Sequence, residues 1–360
     1  MFTVMPPIER QASTERPQVQ AIGHANWYKR PSEPAAPVAS SALDRKHVAA
    51  EDATMAAESR TAHAETFGTV TLTSPDKVLY PEVGLTKHDL AQYDARIAAS
   101  MLPYVARRPI SLVRCPEGLG GPRFFQRHAT KGMADAIKQV RVPGGETDRP
   151  YLYIEDADGL FALTQIGTLE IHDWGVSVDK LESPDRLVLD LDPDEALDFG
   201  MLRSAAREVR DLLAELGLTG FLKATGGKGV HVVAPLTPRA GWPEIRAFAR
   251  ALADTLVERA PDRYTANPLK RTRTGKIFID YLRNGRGSSA ICNYSPRAKA
   301  GAPVATPLRW TELARLQSGA PYTVETLPRR LAGLKDDPWE GFFDTAQTIT
   351  ARARKALGLV

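Results

Sequence analysis

Cysteine is scarce in this chain: Cys115 and Cys292 are the only two among 360 residues. They lie far apart and outside any CxxC or Cys/His spacing, which excludes a disulfide framework and a cysteine-ligated zinc site. Charge of one sign is equally short. Lysine plus arginine (47) barely exceeds aspartate plus glutamate (43), for a net charge of +4. The basic blocks that make nucleic-acid binding obvious are therefore absent, although contact with a polyanion is permitted. No apolar run approaches a membrane span. The start, MFTVMPPIERQ, carries prolines and a glutamate where a signal peptide needs an unbroken apolar stretch. A soluble protein of the cytoplasm or nucleoid, with no membrane partner, is expected.

What is present is a globular composition, 43% hydrophobic and 25% charged, with enough chain for one large domain or two ordinary ones. Residues 1–65 are rich in Ala, Pro, Ser and Glu without sustained apolar period and read as a tail or linker. The alanine pattern of AAEDATMAAESRTAHAE is compatible with a transient or partner-bound helix. From GTVTLTSPDKVLYP onward, short apolar runs, turn residues and amphipathic segments follow one another to about residue 345, and residues 346–360 read as a helical end. Residues 66–345 are thus expected to form one large α/β (α+β) catalytic unit.

Leu90, Tyr93, Ile97 and Met101 recur at helical spacing behind an N-cap candidate, Thr86. RLVLDLDP reads as a buried strand. The next helix carries Leu202, Ala206, Val209, Leu213 and Leu216 and stops at Gly217; GFLKATGGKGVHVVAPL reads as two strands around a glycine turn. A further amphipathic helix, WPEIRAFARALADTLVERA, leads to the strand KIFIDYL.

Residues two apart on a strand share a face, so Asp190 and Asp192 stand side by side while Leu189 and Leu191 face a core. Two adjacent carboxylates invite a hard divalent cation such as Mg²⁺ or Mn²⁺. Equally, DLDP is a strand end running into a turn, with Asp192 or Asp194 capping the next helix. Asp280 is the single charge inside KIFIDYL, where an unpaired carboxylate costs free energy; it is either a third metal ligand or an edge-strand residue paired with Arg283. In ATGGKGVH, glycine N–H groups with Lys228 and His231 suit a phosphate, although GxxxxGK[ST] is absent and a plain glycine hairpin is the default for the motif alone. Lys77, Lys87, Arg127, His128, Lys270, Arg271, Arg273, Lys276 and Arg297 recur near turns, the pair Phe124 and Phe125 preceding Arg127. Aromatics beside cations can stack bases and neutralise phosphates. The default for each is a solvated charge, and for each phenylalanine a core position.

Taken in order, TLTSPDKVLYPEVGLTKHDL, SLVRCPEG, RFFQRH, TLEIHDWG, RLVLDLDP, KATGGKGVHVVAPL, FIDYLRNGRGSSA and YSPRAKAGAPVATPLRW resemble the polymerase domain of bacterial DNA ligase D, a branch of the archaeo-eukaryotic primase superfamily. The resemblance spans about residues 66–330. It implies a primase-polymerase fold whose central mixed or antiparallel sheet, flanked by helices, carries the metal site. It implies template-dependent addition of ribonucleotides, less readily deoxynucleotides, to a 3′ end during double-strand break repair by end joining. Two Mn²⁺ or Mg²⁺ ions per site would be held by Asp190, Asp192 and Asp280. Thr225, Gly226, Gly227, Lys228, His231, His172, Arg273 and Arg297 would surround the incoming NTP or dNTP. Phe124 and Phe125 would stack on bases, and Lys77 and Lys87 would grip a 5′-phosphate at the DNA end. Ku and a ligase domain are the partners it implies.

Three departures from the family pattern stand out. His172-Asp173-Trp174 replaces His-Pro-Trp and puts a negative charge near the expected triphosphate, Arg127 replaces a lysine, and Ala224-Thr225 replaces Thr-Ser or Thr-Thr. Neither a KxDG adenylation motif nor a phosphoesterase histidine cluster occurs. The chain reads equally as a stand-alone polymerase or as one module of a larger ligase. The rival to an enzyme is a non-catalytic DNA-end-binding or synapsis module; a metal-dependent nuclease would use the same carboxylates but leave the glycine loop unexplained.

Overall fold

The computed structural model describes residues 64–145 and 147–359. Almost all of the expected tail therefore lies outside the described residues, and Glu65, the last residue of that stretch, already opens a strand. Strands β1 (Glu65–Phe67) and β2 (Val70–Leu72) form one antiparallel pair, β3 (Val78–Tyr80) and β4 (Leu85–Thr86) another. Helix α1 (Lys87–Val105) starts with a capping box: the Asp89 N–H donates to the Thr86 hydroxyl while the Thr86 N–H donates to the Asp89 carboxylate. Its buried residues include Leu90, Tyr93, Ile97 and Met101, the spacing that marks one helical face.

Next come β5 (Ile110–Arg114), β6 (Phe124–Gln126), β7 (Lys138–Val140), β8 (Tyr151–Tyr153), helix α2 (Ala157–Gln165) and β9 (Thr168–Asp173). The second half holds β10 (Arg186–Pro193), helix α3 (Phe199–Glu215), β11 (Phe221–Ala224), β12 (Val230–Pro235), helix α4 (Trp242–Arg259), β13 (Tyr264–Thr265), β14 (Ile277–Asp280), β15 (Ala290–Ile291) and β16 (Thr306–Leu308). Two short helices, α5 (Leu327–Ala332) and α6 (Ala351–Ala356), close the order.

Two large sheets result. In the first, the order is β15-β9-β5-β8-β7, with β6 also paired to β5. In the second it is β13-β14-β10-β12-β11-β16, antiparallel throughout except for the parallel pair β13–β14. The second sheet is the mixed sheet expected to carry the acidic residues.

Strand β10 shows how alternation positions the site. Leu187, Leu189 and Leu191 enter a core with Val209 and Leu213 of α3 and Phe248 and Leu252 of α4. Val188, and Val233 of β12, point the other way, into the core built on α1 and the first sheet. Arg186, Asp190 and Asp192 share the face of Val188 because the side-chain period of a strand is two.

The helix that follows is not capped by Asp192 or Asp194. Asp198 takes the Gly200 N–H at 2.6 Å, and Asp194 closes the intervening turn by accepting from the Ala196 N–H at 2.9 Å. Helix α3 stops where Gly217 adopts φ +76°. The chain end is not a loose appendage: Ile349 and Ala353 are buried in the α3/α4 core, and Arg354 pairs with Glu244 at the start of α4.

Candidate active site

The register of the second sheet lines up a row of ionisable residues. Asp190 of β10 lies directly opposite Asp280 of β14 on one side and His231 of β12 on the other, and His231 in turn faces Lys223 of β11. Cross-strand partners project to the same face, so the row runs Asp280, Asp190, His231, Lys223, with Asp192 two residues along β10. Strand β14 is interior to its sheet, so Asp280 is not an edge residue, yet it does pair with Arg283.

Each carboxylate is compensated by a cation. Arg283 Nη2 lies 3.2 Å from both Asp190 Oδ2 and Asp280 Oδ2; Asp192 meets Lys228 at 3.3 Å and Arg273 at 3.4 Å. Among the described residues no three acidic, histidine or cysteine side chains converge as a ready-made ion site. The donor chemistry nevertheless suits a hard divalent ion: three carboxylates on one face, all oxygen donors, with charges that repel. Burial works to raise the Asp190 carboxyl, but His231 and Arg283 hold it well below the usual range. Burial, with the Asp190 charge, pushes Asp192 up against the pull of Lys228 and Arg273, and burial pushes Asp280 up against Arg283. Burial also takes His231 down to about 4.

The turn between β11 and β12 closes over this row. Gly226 has φ +67°, and a Cβ there would meet Val304 C and Arg297 Cγ at 2.8 Å. A Cβ at Gly229 would stand 2.3 Å from Leu191 O, between the two aspartates of β10, so the turn can approach β10 only because the residue is glycine. Thr225 is buried and braces the turn: its hydroxyl donates to Gly229 O at 2.9 Å and accepts from the Gly227 N–H at 3.2 Å. Around Gly227 gather Lys228, Arg297 and Lys299; a Cβ at Gly227 would meet Lys299 Nζ at 3.4 Å and Arg297 Nη1 at 3.5 Å. Three cations and glycine N–H groups beside three carboxylates make a surface suited to a polyphosphate.

Glu170, which drew no attention in the sequence, organises the opposite wall. One carboxylate oxygen lies 2.8 Å from His172 Nε2; the other forms an ion pair with Arg297, Nε at 3.1 Å, and accepts from the Ala298 N–H at 2.9 Å. Burial alone would raise this carboxyl, but His172, with Arg297 and the Ala298 N–H, holds it down at about 2. The missed signal was the one used for β10: Glu170 and His172 sit two apart in the strand TLEIHDWG. Asp173 corrects an expectation. It projects to the opposite face from His172, is buried, and pairs with Arg186 at 2.5 Å, while Arg186 also donates to Tyr104 O at 2.7 Å. Its charge is spent inside the fold rather than added beside the expected triphosphate.

Arg273 pairs with Asp192 and packs on its cross-strand neighbour Phe278, its guanidinium 3.7 Å from the centroid of that ring. The phenylalanines of β6 are not core: Phe124 and Phe125 are 52% and 55% exposed, with Arg127 5.7 Å over the Phe125 ring. Lys77 and Lys87 are adjacent, the Lys87 N–H donating to Lys77 O at 2.9 Å. They differ in character. Lys77 pairs with exposed Glu117 at 2.8 Å, whereas Lys87 is buried, not solvated, and donates to Thr73 O at 2.7 Å and Gln165 Oε1 at 3.3 Å.

The family model described as "LigD, primase-polymerase domain" matches residues 86–339. The chain is 42% identical over 290 residues to the multifunctional non-homologous end joining protein LigD of Pseudomonas aeruginosa, covering 80% of this chain and 34% of that protein. It is 30% identical over 260 residues to the bifunctional protein LigD of Bacillus subtilis, covering 72% and 42%. The chain thus spans between a third and about two fifths of the length of these curated relatives. Among solved structures it is similar to the polymerase domain of Mycobacterium tuberculosis ligase D in complex with DNA, with TM-score 0.71 and 32% identity, covering 77% of this chain and 99% of that one. Among the described residues no helix is long and apolar enough to cross a membrane.

Proposed function

The chain belongs to the LigD primase-polymerase family, and from that membership we propose that it is a metal-dependent nucleotidyltransferase that extends the 3′ end of broken DNA under template direction. Ribonucleotides are the preferred substrate and double-strand break repair by end joining is the setting, with Ku and a ligase domain as partners at the nucleoid. The catalytic unit comprises residues 66–345 together with the packed C-terminal segment. The observation that carries the reading is the cross-strand row of Asp280, Asp190 and His231, with Asp192 beside it and the glycine turn closing over it.

Asp190, Asp192 and Asp280 would hold Mn²⁺ or Mg²⁺, which when bound supplies the Lewis acidity that lowers the pKa of a hydroxyl and neutralises polyphosphate charge. Attack of the primer 3′-oxygen on the α-phosphorus forms the new P–O bond, breaks the bond to the β-phosphate oxygen and releases pyrophosphate; the hydroxyl proton leaves to solvent. This chain's own groups bind and orient. Lys228, Arg297 and Lys299 offset the charge of the triphosphate and of departing pyrophosphate. Glu170 fixes His172 and Arg297 in the nucleotide pocket. Phe124 and Phe125 stack on bases, and Lys77, released from Glu117, meets the 5′-phosphate with Lys87 behind it.

The direct test is Mn²⁺-dependent extension of a recessed, 5′-phosphorylated end by Asp190→Ala and Asp192→Ala. Loss of incorporation with retained DNA binding is expected; undiminished incorporation would overturn the assignment.

A further inference from the structure

The glycine turn that closes over the acidic row is held by a second segment besides β10, the stretch 316–322 between β16 and α5. The Gly226 N–H donates to Gly319 O at 2.8 Å. A Cβ built on Gly319 would stand 2.6 Å from both Gly229 O and Lys228 C and 2.8 Å from Gly227 O, so it would meet the main chain of three successive turn residues. Gly319 is buried, and its φ is not positive. Its backbone conformation does not call for glycine; the close approach to the turn does.

The stretch is fixed on both sides of Gly319. Upstream, Leu316 is buried in the α3/α4 core, and its carbonyl accepts from Arg203 Nη1 of α3 at 3.0 Å. Downstream, Tyr322 O accepts from the Val304 N–H at 2.9 Å and the Val324 N–H donates to Ala302 O at 3.0 Å, which ties the stretch to the loop carrying Arg297 and Lys299. The turn has less of its own to hold it. Three of residues 226–229 are glycine, the residue that loses most backbone freedom on ordering, and the fourth, Lys228, is exposed.

We propose that Gly319 is a positioning residue of the nucleotide site: its carbonyl and its bare Cα hold the turn at the place from which Lys228 and the turn's main chain meet a nucleoside triphosphate. This rests on the reading of that turn as the triphosphate holder. Because the stretch is anchored at both ends, a side chain at position 319 displaces the turn rather than the stretch. Loss of one hydrogen bond to a charged phosphate group by that displacement costs roughly tenfold or more in nucleotide affinity.

Single-turnover incorporation of one ribonucleotide into gapped, 5′-phosphorylated DNA with Mn²⁺, followed against nucleotide concentration, separates nucleotide affinity from the rate at saturation. For Gly319→Ala in the full chain, the apparent nucleotide Kd is expected to rise about tenfold while the saturating rate stays within about threefold of the parent. Binding to the DNA end and far-ultraviolet circular dichroism should match the parent. Gln317→Ala, on an exposed side chain, should match it throughout. If Gly319→Ala does not fold, Arg203→Met loosens the stretch at its anchor and should raise the Kd about threefold. An unchanged Kd in folded Gly319→Ala, or in Arg203→Met in its place, would overturn the proposal. So would a fall in saturating rate and DNA-end binding at unchanged Kd, the mark of a general packing defect. Lys228→Ala, measured alongside, tests the underlying reading. An unchanged Kd in that variant would remove the turn from the nucleotide site and the proposal with it, whereas a Kd raised by Lys228→Ala but not by Gly319→Ala would overturn the role of Gly319 alone.

Discussion

Replacing Gly229 by alanine tests whether the glycine turn sets the position of the acidic row. The added Cβ would stand 2.3 Å from Leu191 O, and the atom it meets is main chain, not a flexible side-chain tip. Relief to ordinary contact, about 3.5 Å, requires relative movement of β10 and the turn on the order of 1 Å. The pairs Leu191–Val230 and Asp190–His231 adjoin the clash, so the movement falls on the aspartates themselves. Displacement of that size in a reacting constellation costs about 100-fold in rate. Single-turnover nucleotide incorporation is therefore expected to fall about 100-fold in Gly229→Ala, while far-ultraviolet circular dichroism remains that of the parent. Gly120→Ala is the control, since a Cβ there meets nothing within 4 Å and its φ is not positive. Incorporation by Gly229→Ala within a few-fold of the parent would refute the claim that close approach of this turn aligns Asp190 and Asp192.

Asp94, buried in α1 and accepting from the Thr164 hydroxyl at 2.6 Å, is pushed up by burial to about 7. The folded state therefore binds its proton more tightly than the unfolded chain, and this contribution to stability is lost as pH rises from about 4 to about 7. Asp94→Asn should widen its stability advantage by about 2–3 kcal/mol between pH 5 and pH 8 in urea unfolding, and parallel curves would refute this. Asp173→Ala leaves Arg186 buried without its counter-charge and should destabilise the fold by about 3 kcal/mol in the same assay. Phe124→Ala and Phe125→Ala, on exposed side chains, should leave stability unchanged yet weaken binding to primer-template DNA by about 1–3 kcal/mol each, as measured by fluorescence anisotropy.

Much of this was legible in the sequence because the signals are local. The stripe of α1, its Thr86 cap, the stop at Gly217 and the strand RLVLDLDP follow from side-chain periods and turn chemistry acting over a few residues. The shared face of Asp190 and Asp192 comes from the same source. The cap of α3 was misplaced because a turn intervenes between strand and helix, and Asp198, not Asp192 or Asp194, meets the first free N–H groups. Lys87 gave no sign of burial, since its ammonium is satisfied by Thr73 and Gln165, remote in the chain.

By itself the sequence determined the alternation of strands and helices, the glycine turn and the same-face pair on β10, all products of chain geometry at short range. Only tertiary structure decided the rest: that Asp280 falls opposite Asp190, that Arg283 bridges them, that Glu170 joins His172 to Arg297, and that Asp173 turns inward to Arg186. Those choices depend on strand register and sheet packing, which bring together residues near in the chain, such as Asp173 and Arg186, 13 apart, and distant ones, such as Asp190 and Arg283, 93 apart, and burial makes each charge seek a partner.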